Sequence, residues 1–252
     1  SVVWDINDDD NVTLDESSGN PWFSDGEGTY ASYDATGLAA MHSNISTVAG
    51  LSFGALFNNL DVGNAPAVTQ GVAGGTNMGW VEIQHSDFDY DGNSGTLDHS
   101  ANVTSIAAGY SMAVSDMTTL GFMLGSANGD MHANGTFAGV SSSDFSGAFV
   151  GVGVAHQIGA LTLTAGLSGG KMDHDDERTV NVSSSEDVFE TASSDYDSDW
   201  VGLSAGVAYD IAAGSGFRIT PSLNYQYVKQ SVGSYTETGA TENASVDSFS
   251  FG

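Results

Sequence analysis

The sequence has no cysteine, three prolines and four basic side chains among 252 residues. Without cysteine there is neither a disulfide framework nor a thiolate metal site, so stability must come from backbone pairing, packing or bound cations. Four Lys and Arg against 32 Asp and Glu leave a formal charge of −28. That field repels the phosphate backbone and excludes nucleic acid as a partner. No apolar run reaches the roughly 18 residues that a membrane-spanning helix needs. The sequence opens at Ser1 on no signal-peptide pattern, and the expectation is a processed or excised segment.

What the chain does have, from about residue 78 onward, is alternation. In Ala160 to Gly169, Leu161, Leu163, Ala165 and Leu167 share one face of an extended strand, with Thr162, Thr164, Gly166 and Ser168 on the other. Trp200 to Tyr209 sets Val201, Leu203, Ala205, Val207 and Tyr209 against Gly202, Ser204, Gly206 and Ala208. Phe217 to Tyr227 opposes Phe217, Ile219, Pro221, Leu223, Tyr225 and Tyr227 to Arg218, Thr220, Ser222, Asn224 and Gln226. Comparable segments run over Gly79 to Phe88, Thr104 to Val114, Thr118 to Gly125, Phe145 to Gln157 and, partially, Val246 to Phe251, giving eight in all.

A soluble sandwich also alternates, so the tie-breaker is the chemistry of the polar register. It holds Gly, Ser, Thr, Asn and Gln where solvated strands carry Lys and Glu, and the acids gather in the connections. Four acids lie between Asp87 and Asp98, ten between Asp173 and Asp199, and nine between Asp5 and Asp34. Connections are short after Val114, Gln157 and Tyr209 and long between them, the alternation of turns and outer loops in transmembrane barrels. Pro221 on an apolar strand face runs against this pattern.

Ahead of the strands, Ala35 to Leu60 has helical spacing of Leu38, Met41, Ile45, Val48, Leu51, Leu56 and Leu60, weakened by Gly37, Gly50 and Gly54. This order of acidic extension, helix, Gly-rich linker (Gly71 to Gly79) and a strand opening with Trp80 resembles the C-terminal translocator of autotransporters. The string Ser234-Tyr-Thr-Glu-Thr-Gly-Ala240, after Tyr225 and Tyr227, is similar to the family's late barrel strands. The resemblance covers about residues 40 to 252. It implies a β-barrel with a helix or extended segment through its lumen, delivering an N-terminal passenger to the cell surface. Family barrels have twelve strands and end on an aromatic residue, whereas this chain shows eight and ends at Gly252. The expectation is that further strands lie beyond this sequence; strands from another chain, or a smaller eight-stranded barrel, are the alternatives. Asn58-Asn59-Leu60 resembles the paired-asparagine junction at which some members release their passenger. There the Asn58 side-chain amide would attack its own backbone carbonyl, helped by a lumenal acid such as Glu82.

Two acidic segments have the spacing of calcium loops. Asp5, Asn7, Asp9 and Glu16 offer oxygen ligands at positions 1, 3, 5 and 12, with Asp10 where a sharp turn wants glycine. Asp87, Asp89 and Asp91, followed by Gly92 and then by Asp98, repeat the pattern between strands. The bland reading of both is a solvated acidic loop. Asp173, Asp175, Asp176 and Glu177, beside Lys171 and Arg178, have no ligand spacing and read as a solvated loop. Of three G-x-S-x-G matches, at Ser52, Ser168 and Ser204, two lie inside alternating strands rather than at a strand-to-helix elbow, and the six histidines include no H-x-x-x-H pair. No catalytic residue is assigned and no enzyme is expected.

The expected architecture is therefore an all-β antiparallel transmembrane barrel over residues 78–252, preceded by an acidic extension or passenger remnant (1–35) and a lumenal helix with linker (36–77). Arg218, Asn224 and Gln226 are expected to face the lumen. The expected location is the outer membrane with acidic loops at the cell surface. Expected partners are outer-membrane lipid and lipopolysaccharide, the assembly machinery and the chain's own passenger segment, with calcium as the one cofactor. The rival is an acidic, calcium-binding extracellular matrix protein; a porin-like pore is a further alternative.

Overall fold

The computed structural model describes residues 13–15, 22–24, 30–32, 36–60, 72–74, 77–91, 98–134, 140–181, 189–212, 218–241, 243 and 245–252. The main strands are β1 (Asn77–Tyr90), β2 (Asp98–Ser115), β3 (Thr118–Asn134), β4 (Val140–Ile158), β5 (Leu161–Asn181), β6 (Phe189–Tyr209), β7 (Ser222–Val232) and β8 (Phe249–Phe251). They form one antiparallel sheet in chain order, with Val72–Gly74 on the free side of β1. Helix α1 (Thr36–Asn58) packs on one face and touches every strand from β1 to β7. A helix about 10 Å wide touches seven strands spaced about 4.8 Å apart only if the sheet curls around it. No pairing among the described residues joins the two edges, so the wall is a barrel with an open seam.

The two faces divide as the alternation requires. Outward stand Ile83, Ile106, Leu124, Val150, Leu167, Leu203, Leu223 and Tyr225, all exposed, with Leu223 at 72% and Leu124 at 66%. Inward stand glycines, serines and the buried Trp80, Met123, Phe145, Phe149, Met172 and Trp200, which pack with Ile45, Val48, Leu56 and Leu60 of α1. Water would not tolerate so continuous an apolar exterior, whereas hydrocarbon requires it. On β5 the apolar outward register runs from Leu161 to Gly169, and at about 3.3 Å per residue and a tilt of about 40° that is a band some 23 Å tall, matching a bilayer core. Helix α1 is apolar on most sides and carries neither acidic residues in its first turn nor basic ones in its last, so its stability comes from burial inside the wall rather than from its ends.

The strands continue well past that band, and here the sequence reading needs correction. Residues 173–181 and 189–199 are strand rather than loop: β5 and β6 pair without interruption from Tyr209↔Leu161 to Phe189↔Asn181. The outward acids Asp173, Asp175, Asp195, Asp197 and Asp199 stand on this hairpin and are solvated on one face only, while the inner face stays buried. The expected strand at Phe217 to Tyr227 also breaks. Arg218–Ile219 pairs instead with Ile211–Ala212, and β7 begins after Pro221, whose carbonyl accepts from Tyr209 N at 3.1 Å. A proline offers no N–H to the ladder, and the pairing starts beyond it. Val246 to Phe251 likewise splits: Ser245–Val246 pairs with Tyr235–Thr236, and only β8 joins β7. The turns between β2 and β3 (Asp116, Met117) and between β4 and β5 (Gly159, Ala160) are two residues long, Gly159 taking φ of 62° as a tight hairpin demands. Within 1–35 the chain forms a small antiparallel sheet of Thr13–Asp15, Trp22–Ser24 and Tyr30–Ser32.

Candidate functional site: the lumen and the helix junction

The lumen is built on one cross-strand row. Ser111 on β2 pairs with Gly121 on β3, which pairs with Gly153 on β4, which pairs with Gly166 on β5. A Cβ on Gly121 would lie 2.6 Å from Leu60 Cδ2, one on Gly153 2.8 Å from Leu56 Cδ2, and one on Gly166 2.8 Å from Phe57 Cζ. Gly202 on β6 completes the series, 3.0 Å from Phe53 Cε2. Phe53, Leu56, Phe57 and Leu60 follow i, i+3, i+4, i+7 spacing and so form a single helix face. Gly121 and Gly153 lie near the two-residue turns, so the C-terminal end of α1 points to the short-turn end of the barrel. Its N-terminus points to the end where the long connections lie.

At that C-terminal end sits a compact polar cluster. Asn59 is fully buried and donates through Nδ2 to Glu82 Oε2 at 2.7 Å and to Ala55 O at 2.8 Å. Asn58, exposed, donates through Nδ2 to Glu82 Oε1 at 3.1 Å, and Gln84 Nε2 donates to the same oxygen at 2.5 Å. Ser111 Oγ donates to the Asn59 carbonyl at 2.5 Å and accepts from Trp80 Nε1 at 3.2 Å. One carboxylate on β1 thus holds both asparagine amides where the helix ends, with the last N–H groups tightened onto Leu56 O and Phe57 O. The family resemblance pointed to the asparagine pair, with Glu82 as an example of a lumenal acid; the fold adds that Asn59 is the buried partner and Asn58 the exposed one.

The family model of the autotransporter β-domain matches residues 79–251 of this chain. The chain belongs to the autotransporter β-domain family. The translocator domain of the autotransporter NalP from Neisseria meningitidis has a similar fold, with a TM-score of 0.63 at 16% identity, covering 84% of this chain and 67% of that one. No curated protein matches the chain. This autotransporter barrel is accordingly an outer-membrane barrel through which a passenger is secreted, as its apolar exterior and occupied lumen fit.

Beyond the apolar band of the autotransporter barrel, the outer face carries a cross-strand row of mostly acidic residues. Asp87, Asn102, Asp130, Asp144, Asp175 and Asp195 are direct partners across β1 to β6. The facing Asp195 raises the Asp175 carboxyl pKa, with the charges of Asp144 and Asp173 adding to the rise. Ionised carboxylates cannot enter hydrocarbon, so the band ends short of this row at the long-connection end, on β5 and β6 already at Lys171 and Asp199.

Inside the wall at the same end lies a cluster that sequence reading missed. Tyr196 Oη donates to Asp176 Oδ2 at 2.6 Å and its ring stacks on His174 and on Tyr235. Arg178 is paired with Glu237 at 2.5 Å, and His174 Nε2 lies 2.8 Å from Ser198 Oγ. Burial pushes the Asp176 carboxyl up to about 6, opposed by the Ser143 and Tyr196 hydroxyls and reinforced by Asp175 and Glu237. Of the two hydroxyls Tyr196 supports the charge, because Ser143 Oγ makes no hydrogen bond of normal geometry. Burial brings His174 down to about 4, with Asp197 pulling the other way. The signal was the parity of the strand, which sets His174, Asp176 and Arg178 on one face, but reading the segment as a loop hid it.

The remaining predicted residues fall as follows. Asn224 and Gln226 share the lumenal face with their partners Gly206 and Ser204, and are exposed. The backbone of Arg218 pairs with Ala212; its side chain lies outside the described residues. Asp87 and Asp89 point outward from β1, Asp91 is exposed just after it and Asp98 opens β2. No group of three or more His, Asp and Glu close enough to hold a metal occurs among the described residues. The loop between Asp91 and Asp98, and all of Asp5, Asn7, Asp9 and Glu16, lie outside them.

Proposed function

We propose that α1 is the tail of the exported passenger, held in the lumen after transport, and that residues 1–35 emerge at the cell surface. One observation carries this reading: the helix runs with its C-terminus at the short-turn end and its N-terminus toward the acidic, long-connection end. Short turns belong to the periplasmic side of such barrels. The outward acids then stand at the cell surface, above lipid and lipopolysaccharide that solvate the apolar band, and the outer-membrane assembly machinery inserts the wall. Protease added to intact cells is expected to remove residues 1–35 while α1 is protected; protection of 1–35 contradicts the reading.

We further propose self-cleavage at the Asn58–Asn59 bond. The Asn58 side-chain nitrogen attacks the Asn58 carbonyl carbon as one of its protons passes to Glu82, and the Asn58–Asn59 C–N bond breaks as Glu82 hands that proton to the Asn59 nitrogen, which leaves as a neutral amine. The product is a C-terminal succinimide on the passenger. Support comes from Glu82 Oε1 at 3.1 Å from Asn58 Nδ2 and from the clamps that hold Asn59. Intact-mass measurement is expected to show two fragments meeting at this bond, and one undivided chain with Glu82→Gln. A single undivided mass for the parent sinks the proposal. For Asp87, Asp89, Asp91 and Asp98 the proposal is a calcium seat completed by the loop between them; calorimetry without a calcium-dependent heat counts against it.

A further inference from the structure

We propose that the glycine row of the lumen is a register lock, which sets where the exported chain comes to rest in the barrel. The inference rests on the reading of α1 as the passenger's tail.

Lumenal glycines of this wall fall into two groups. Gly109, Gly125, Gly129 and Gly147 are roofed by the wall's own side chains: a Cβ there would strike Trp80, Phe149, Phe145 and Met172 respectively. Gly121, Gly153, Gly166 and Gly202 are filled by the helix instead, through Leu60, Leu56, Phe57 and Phe53. The first three are direct neighbours across β3, β4 and β5, so the missing side chains make one continuous groove. The helix answers with one face of bulky residues. A chain threading past offers this groove many side chains, but only this spacing of large apolar knobs fills all four hollows. The fit is reinforced by polar pins of fixed position: Ser52 Oγ lies 3.1 Å from Ser168 Oγ, and Ser111 Oγ caps the Asn59 carbonyl at 2.5 Å. Sliding α1 by a single residue rotates the knob face by about 100° and leaves a large apolar side chain for only one of the four hollows, Phe57 at Gly153 or Leu56 at Gly166. The lock therefore selects for size and angle together, and it delivers the Asn58–Asn59 junction to Glu82.

The chain has no cysteine, so an introduced pair reports the register cleanly. Ser52→Cys with Ser168→Cys, in the full chain extracted from outer membranes, is expected to form a disulfide under mild oxidation. Adding Gly153→Ala is expected to slow that cross-link about tenfold, the scale on which one surplus methyl overpacks a close contact. Leu56→Ala, which removes the side chain that the methyl meets, is expected to restore it. Cross-linking at the parent rate in Gly153→Ala, in barrels shown to be folded by their heat-modifiable migration on gels, overturns the lock. Should Gly153→Ala fail to reach the membrane, Leu56→Ala with Leu60→Ala leaves the wall intact; an unchanged cross-link there overturns it equally. A cross-link that behaves as expected while residues 1–35 stay hidden from protease would sink the passenger reading and leave the groove as the seat of a resident helix.

Discussion

Replacing Asp176 with asparagine removes one of two buried titrating groups that stand two residues apart on the inner face of β5. The other is His174, and their linkages have opposite signs. Asp176 is raised from 3.8 to about 6, so the folded state holds a proton that the unfolded state has lost, and folding gains as the pH falls through this window. His174 is lowered from 6.5 to about 4, so the unfolded state takes up a proton that the folded state refuses, and folding loses as the pH falls. Each shift of about two units corresponds to roughly 3 kcal/mol. The two nearly cancel, and between about pH 6.5 and 4 the parent is expected to change little. Asp176→Asn leaves only the histidine linkage, so the mouth should open roughly a hundredfold more readily at the acid end; His174→Gln should show the reverse. The groups facing the pair are Ser143 from β4, Arg178 from β5, Tyr196 from β6, and Tyr235 and Glu237 from the segment after β7. Helix α1 and Tyr30–Ser32 also pack on β5, and their ionisable residues are His42 and Tyr30. Hydrogen exchange, corrected for intrinsic rate, of peptides spanning 189–199 and 233–238 reads the opening directly. A strong pH dependence in the parent, or none in either variant, refutes the compensation.

Three further outcomes are expected. Leu203→Arg, at 55% exposure in the middle of the apolar band, should destabilise the folded barrel by about 2–4 kcal/mol in lipid, measured by urea unfolding from vesicles. Asp195→Ala, in the exposed row above the band, should leave that stability within about 0.5 kcal/mol. Arg178→Ala strips the buried Glu237 carboxylate of its partner and should cost about 3 kcal/mol near neutral pH in the same assay, with Glu237→Gln in the same chain recovering part of it.

Most of the wall was legible because lipid and lumen impose opposite demands on alternate residues. Leu161 to Gly169 and Trp200 to Tyr209 could be assigned to their faces without any structure. The helix over Ala35 to Leu60 was legible to within a residue or two, as Thr36–Asn58, although three glycines weakened its pattern. What stayed hidden were the strand extensions beyond the membrane. Over residues 173–181 and 189–199 the outward residues are mostly acids and the inward ones mix small, aromatic and charged side chains, a pattern with no apolar side, and hydrophobic periodicity is silent on it. Asp176 and Arg178 looked solvated for the same reason. The glycine sockets were visible as composition but not as a groove, because which glycines face the helix depends on the register between strands. The Asn58–Asn59 pair was legible as a motif, yet its contact with Glu82 needed the fold to bring the helix end against β1.

Apolar residues face lipid while α1 fills the other side of the same wall. The most direct test of that arrangement is single-cysteine labelling with a fluorophore at Leu203→Cys, on the outer face, and Ala127→Cys, on the inner face, in vesicles of lipids brominated along the acyl chains. Strong quenching is expected at residue 203 and none at residue 127; quenching at both, or at neither, would show that the two faces are not divided between lipid and lumen.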